Sequence, residues 1–248
     1  MPDATVPRLS PAFRLQSAAP TAEYWIYEEV PEEAGPWPAI LFMDGDDQFR
    51  FVIAAYRAGR AAHRVPPLLL IGVGYGSSYT RPGNRRIRDY TPTAVATELE
   101  SGGADAFVAF LGVALWRELA RRHDLRADVR GIAGHSLGSL AALHALFQPQ
   151  PFFNRVLASA PSIWWDDRSL LRLAGRLQGT GATLPARLFL AVGENDTPSM
   201  TGDLKLLEDQ LATRPFPGLE VISRRYAARD HYNALPDAFR EGLQRLFA

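Results

Sequence analysis

Gly134-His135-Ser136-Leu137-Gly138 places a serine between two glycines, two residues from each. The run before it, Gly131-Ile-Ala-Gly134, reads as the end of a β-strand, and Leu137 to Phe147 has the apolar periodicity of a helix. At a strand-to-helix junction of this kind a serine sits in a strained turn with its hydroxyl lifted clear of the backbone. Glycines on either side let neighbouring chain approach without a Cβ clash. The surrounding strand and helix, more than the five-residue pattern, make Ser136 a candidate nucleophile. A serine hydroxyl attacks only when a base takes its proton, so a histidine has to reach it.

Five histidines are available. His135 lies inside the turn, His144 on the following helix, and His63 and His123 at the ends of helical segments, where packing or surface roles suffice. His231 differs: it follows the last strand pattern, in the loop Ala228-Arg-Asp-His-Tyr-Asn233, ahead of a final helix. Where a serine elbow crowns an α/β sheet, the chain order is serine, acid, histidine, and His231 lies in a loop downstream of Ser136. The acid should end an apolar strand between them, and Val192-Gly-Glu-Asn-Asp-Thr197 fits. Asp196 and Glu194 compete there, with Asp196 preferred, and Asp230 is a third candidate. Acyl transfer also needs donors for a developing oxyanion. The Leu137 amide is one; the other is expected from Asp44-Gly-Asp-Asp47 after the run Ile40 to Met43, through the Asp46 amide. The three carboxylates of that turn must then point away. A calcium loop would need alternating ligands, which this cluster lacks, so no metal is expected.

These residues need a scaffold. Pro38–Gly45, Pro67–Gly74 and Arg187–Gly193 are apolar runs ending in glycine, as strands buried between two helix layers read. Weaker strand patterns lie at Glu23–Glu28, Val129–Gly134, Arg155–Ser159 and Leu219–Ser223. Helices are expected over about Phe49–His63, through the stripe Phe107, Phe110, Leu111, Ala114, Leu115 and Leu119, and over Leu137–Phe147, Leu204–Leu211 and Pro236–Phe247. Alternating strands and helices predict a mostly parallel sheet covered on both faces, in one domain spanning 1–248. Between Tyr75 and Ala104 regular patterning stops, which suggests a substrate-site loop or cap. Its arginines, Arg81, Arg85, Arg86 and Arg88, could line the mouth of a site and attract an anionic ester. Trp164 could form an aromatic wall.

The 27 Lys and Arg are balanced by 27 Asp and Glu, so no global field favours nucleic acid or an anionic membrane. The expected partner is a small-molecule ester, with no nucleic acid and no membrane; composition leaves the oligomeric state open. No cysteine occurs, which rules out thiol nucleophiles and thiolate metal sites. Prolines and Asp3 interrupt the start, MPDATVPRLSPAFRLQSAAP, so a cytoplasmic location is expected.

Taken together, Leu41-Phe-Met-Asp-Gly-Asp-Asp-Gln-Phe49, Arg88-Asp-Tyr-Thr-Pro-Thr93, Gly134-His-Ser-Leu-Gly138, Ser159-Ala-Pro-Ser-Ile-Trp-Trp165, Val192-Gly-Glu-Asn-Asp196 and His231 resemble the esterase-D-like branch of the α/β-hydrolases, in particular hydrolases similar to enterochelin (siderophore) esterases. The resemblance implies an α/β-hydrolase fold with a mostly parallel twisted sheet of about eight strands, a Ser136, Asp196, His231 triad, an oxyanion hole from the Asp46 and Leu137 amides, and no cofactor. It implies ester hydrolysis through an acyl-enzyme, on a siderophore-type or other anionic ester touched by Arg85, Arg86, Arg88 and Trp164. Acyl transfer to another acceptor, or a binding protein that keeps the fold without the reaction, are the alternatives. Two departures stand out: Ser139 follows Gly138 where this branch often has glycine, and Asp230 precedes the histidine.

Overall fold

The computed structural model describes residues 9–247; the first eight residues of the proline-interrupted start lie outside it. A hairpin of β1 (Phe13–Ala18) and β2 (Thr21–Glu29) leads into β3 (Trp37–Phe42), α1 (Gly45–Ala61) and β4 (Leu69–Gly74). A short α2 (Arg86–Tyr90) follows, then α3 (Ala104–Phe110), a π-helical turn (Leu111–Leu115) and α4 (Trp116–Arg122), which together carry the stripe expected from Phe107 to Leu119. The rest alternates: β5 (Leu125–His135), α5 (Leu137–Leu146), β6 (Arg155–Ser159), α6 (Trp165–Gly179), β7 (Ala186–Gly193), α7 (Pro198–Thr213), β8 (Leu219–Tyr226) and α8 (Leu235–Phe247).

The eight strands form one sheet in the order β1-β2-β4-β3-β5-β6-β7-β8, with the β1–β2 and β2–β4 pairings antiparallel and every other pairing parallel. Because successive side chains on a strand point to opposite faces, each apolar run feeds two cores. Ile40 and Phe42 pack with Phe49, Val52, Phe239 and Leu243 under α1 and α8. Leu41 and Met43 pack on the opposite face with Leu140, Leu143 and the α3 to α7 layer. Among the described residues no helix is long and apolar enough to cross a membrane.

The parallel strands all deliver their carboxyl ends to one edge, where open α/β sheets hold ligands. The stretch expected as a loop, 75–104, runs across that edge: its first residues follow β4, and α2 sits against α5. Tyr24, Tyr75 and Tyr90 line its underside, with the Tyr24 and Tyr75 hydroxyls donating to the buried Asp89 carboxylate at 2.7 and 3.0 Å.

Candidate active site

Ser136 occupies the turn between β5 and α5 at φ 58° and ψ −122°, a conformation that costs a non-glycine residue on the order of 1–3 kcal/mol. Backbone bonds hold it there. Its amide donates to Ser159 O at 3.0 Å, and its carbonyl accepts from the Ser139, Leu140 and Ser162 amides at 3.1, 3.2 and 3.3 Å. The turn closes so tightly that a Cβ on Gly134 would stand 2.1 Å from the Gly138 carbonyl carbon, which explains the first glycine of the motif. Ser139, found where the resembled branch often has glycine, is buried and donates its hydroxyl to Gly134 O and Ser159 O, stitching the elbow to β6.

His231 reaches this edge from the loop between β8 and α8, and β7 fixes its position. The loop crosses the end of β7 so closely that a Cβ on Gly193 would lie 2.3 Å from Arg229 O; Asn195 N donates to that same carbonyl at 2.8 Å. His231 Nδ1 then stands 2.9 Å from Asp196 Oδ2, and Thr197 N donates to Asp196 Oδ1 at 2.7 Å. The Asp196 side chain is fully buried while the His231 ring keeps 21% of its surface. Of the rival acids, Glu194 is exposed. Asp230 turns its carboxylate back into its own loop, accepting from the Tyr232 and Asn233 amides at 2.9 and 3.0 Å.

Ser136 and His231 line the same cavity, of about 670 Å³. The Ser136 hydroxyl lies 3.4 Å from that of Ser162. The turn after β3 forms the adjoining wall: a Cβ on Gly138 would meet Met43 Cβ at 2.9 Å and Asp44 Oδ2 at 3.3 Å. Its three carboxylates point three ways. Asp44 is buried in a paired contact with Arg86, Oδ1 to Nε at 2.9 Å and Oδ2 to Nη2 at 3.0 Å; burial still raises its pKa, against the pull of Arg86. Asp46 accepts from Tyr27 OH, Tyr75 N and Gly76 N at 2.6, 2.6 and 3.0 Å, so its carboxylate faces the end of β4, on the far side of β3 from Ser136. Asp47 accepts from Tyr79 N at 3.0 Å. The amides of Asp46 and Leu137, each in the first turn of its helix, have no acceptor among the described residues.

The arginines depart from expectation. Of Arg81, Arg85, Arg86 and Arg88, only Arg86 lines the cavity. Arg85 turns out to Glu100 at 2.9 Å, and Arg88 is held on Asp89 at 2.7 Å beside the Thr21 carbonyl. Trp164, expected as a wall, is 42% exposed and lies tilted at 50° to Trp165, outside the cavity lining. For Arg85 and Arg88 the physical reason is local pairing, each held on a carboxylate away from the cavity, while Arg81 is exposed.

Sequence reading passed over His135 as a site residue. Its ring centroid lies 4.6 Å from that of His231, its Nδ1 is 3.0 Å from Ser159 Oγ, and its Nε2 is buried without a hydrogen-bond partner. Burial first, then the neighbouring His231 and Arg86, pushes its pKa down to about 3, so it stays neutral. Its place next to Ser136 in the motif is the available signal. Also unforeseen is the part played by the first turns of α1, where Asp47, Gln48, Arg50 and Phe51 line the cavity, and by Tyr79 and Tyr232.

The strand order, the antiparallel β2 and the serine elbow after β5 define an α/β-hydrolase. The family described as "Putative esterase" matches residues 18–205, and the chain belongs to that esterase family. The siderophore triacetylfusarinine C esterase of Aspergillus fumigatus is 33% identical over 153 residues, 60% of this chain and 52% of that one, so the match spans about half the fungal protein. The ferri-bacillibactin esterase BesA of Bacillus subtilis is 26% identical over 86% of this chain and 81% of its own. Among solved structures, the BES protein from Bacillus cereus superposes with a TM-score of 0.86 at 25% identity, covering 95% of this chain and 94% of that one.

Proposed function

We propose that this protein hydrolyses a carboxylic ester through an acyl-enzyme, with Ser136 as nucleophile, His231 as base and Asp196 as the acid that orients it. One observation carries the reading: a serine in a strained elbow shares a cavity with an imidazole whose Nδ1 is anchored 2.9 Å from a buried carboxylate. Asp196 accepts a hydrogen bond from Nδ1–H, which fixes the tautomer that leaves the lone pair on His231 Nε2. That nitrogen takes the Ser136 proton as Oγ bonds to the ester carbon, and the carbonyl oxygen becomes an oxyanion received by the Leu137 and Asp46 amides. Each such donor is worth about 10²–10³ in rate. The leaving alkoxide departs with the proton from Nε2, and a water repeats the sequence to release the acid. For the first step the Ser136 hydroxyl has to turn from Ser162 toward His231; such bonds are often long in unliganded enzymes. The fungal relative is by name a siderophore esterase and the Bacillus one a ferri-bacillibactin esterase, and a siderophore-type ester is the substrate class we place first. The segment 75–104 then serves as the substrate-site wall, through Ser78 to Thr80 and Arg86.

The test is incubation with 4-nitrophenyl butyrate and with a fluorophosphonate. Turnover and a label mapping to the Ser136 peptide are expected, both lost in Ser136→Ala. Neither turnover nor label in the wild-type chain would leave a binding protein of the same fold and sink the hydrolase reading.

A further inference from the structure

Asp44 opens the turn that follows β3, with its backbone at φ 55° and ψ 44°, in the left-handed region. It immediately precedes α1, a position from which an aspartate ordinarily turns its carboxylate onto the amides of the first helical turn. Among the described residues no such capping bond forms here. Arg86 on α2 takes both oxygens instead, Nε donating to Oδ1 at 2.9 Å and Nη2 to Oδ2 at 3.0 Å, and Gln48 Nε2 donates to Oδ2 at 3.3 Å. The Asp44 amide donates to the hydroxyl oxygen of Tyr90, also on α2, at 2.9 Å, and its carbonyl accepts from the Asp47 and Gln48 amides at 3.1 and 2.9 Å. Two residues on, the Asp46 amide is left without an acceptor among the described residues.

Arg86 reaches this contact from the cavity side. Its guanidinium lines the cavity, 5.1 Å from the Tyr79 ring centre and 5.6 Å from that of Tyr90, while the Asp44 side chain beneath it is fully buried. On the other flank a Cβ on Gly138 would stand 3.3 Å from Asp44 Oδ2, so the same carboxylate abuts the elbow that carries the Leu137 amide. A planar guanidinium gripping both oxygens of a carboxylate fixes angle as well as distance.

We infer that Arg86 is a positioning residue of the oxyanion hole: by gripping the Asp44 carboxylate it fixes the left-handed turn that aims the Asp46 amide, and it ties that turn to the 75–104 segment. The inference rests on the hydrolase reading above, with the Asp46 and Leu137 amides as the donors. It gives Arg86, expected from the sequence as a substrate contact, a role exerted through the backbone. A group misplaced by about 1 Å can cost about 10² in rate. Because the oxyanion exists only in the transition state, the loss falls on kcat and spares the binding of the ester.

The test is a double-substitution cycle on the full chain with 4-nitrophenyl butyrate. Arg86→Gln and Asp44→Asn should each lower kcat by about 10–100-fold with KM within about twofold, and the double variant should lose no more than the larger single loss. Asn keeps the shape of Asp44 and tolerates a left-handed backbone, so that variant removes only the charge that Arg86 grips. Affinity for propyl trifluoromethyl ketone, whose adduct with Ser136 places an oxyanion in the hole, should fall by the same factor as kcat/KM. Tyr90→Phe deletes the acceptor of the Asp44 amide and should lower kcat by about threefold to tenfold; it decides the matter if Arg86→Gln does not fold by circular dichroism. A rise in kcat in Asp44→Asn would overturn the inference by making Arg86 a charge that acts on the oxyanion directly. A raised KM at unchanged kcat would overturn it by making Arg86 a substrate contact, and additive losses with ketone affinity unchanged would reduce the pair to packing. In each of these cases fluorophosphonate labelling of Ser136 in the parent chain leaves the hydrolase reading standing, whereas absent label and absent turnover in that chain would remove it.

Discussion

Two histidine–aspartate pairs stand in this molecule, and they are built inside out relative to one another. His231 meets Asp196 at 2.9 Å with the aspartate side chain fully buried and the ring 21% exposed. His144, on α5, meets Asp105, on α3, at 2.7 Å with the ring 6% exposed and the aspartate 79%. Distance alone would favour the second pair. Burial decides otherwise: it drives the His144 pKa down, outweighing Asp105, whose charge is shared with water. His144 Nε2 is taken up by Asp105 and the Gln148 amide, and its Nδ1 is buried without a partner, so no lone pair faces a ligand. A base that must take a proton and return it needs the opposite arrangement, with the anion hidden and the imidazole open. The groove beside Asp105 has about 430 Å³ and apolar walls, and no serine elbow opens into it.

The largest effects should separate the pairs. Ser136→Ala should lower kcat on 4-nitrophenyl butyrate by about 10⁴–10⁶, with the fold retained by circular dichroism. Asp196→Asn, which keeps the shape and removes the charge that orients His231, should cost about 10³–10⁴ in kcat. An Asp196→Asn protein within tenfold of the parent would break the comparison, since a buried anion would then not be what sets the proposed catalytic pair apart.

Much of this architecture can be read from sequence where burial is two-sided. The runs that become β3 and β4 are apolar throughout, and that of β7 is apolar after Arg187, because helices cover both faces, and Arg155–Ser159 is bounded as β6 by residues that leave the interior. The elbow was legible because its chemistry is local. β1 was not: as an edge strand it alternates half-buried and exposed residues through Phe13-Arg-Leu-Gln-Ser-Ala18, with little apolar signal. α6 was hidden because it opens on Asp166, Asp167 and Arg168, all at positive φ, a turn that no helical pattern announces. The arginine partners were illegible for another reason. Arg86 finds Asp44 across 42 positions, and only the packing of α2 over the end of β3 makes them neighbours.

A third imidazole sharpens the contrast between buried and open rings. His135 has a pKa near 3 in the folded chain, against an ordinary value near 6.5. The unfolded chain therefore binds a proton that the folded chain refuses, so stability falls as pH drops below about 6.5 and levels off near 3. Between pH 7 and pH 5 this should remove about 2 kcal/mol. Urea unfolding at both pH values checks it: His135→Gln should lose about that much less than the parent on acidification, the other titrations being common to both. Equal losses would mean that His135 is not held neutral by its surroundings.

The smallest expected effect is the most exacting. Asp105→Asn removes the charge from the shorter of the two pairs, yet kcat should stay within about twofold and stability within about 1 kcal/mol, as for other exposed ion-pair partners. The carboxylate is mostly in water, so its loss leaves no buried charge, and Asn can keep an oxygen near His144 Nε2. A fall in kcat comparable to that of Asp196→Asn would show that the groove under the π-helical turn is coupled to the elbow through α5, whose first residue follows Ser136 and whose last turn carries His144. Measured beside Asp196→Asn on the same ester, the two substitutions ask whether burying the acid or merely placing it near a histidine makes a base.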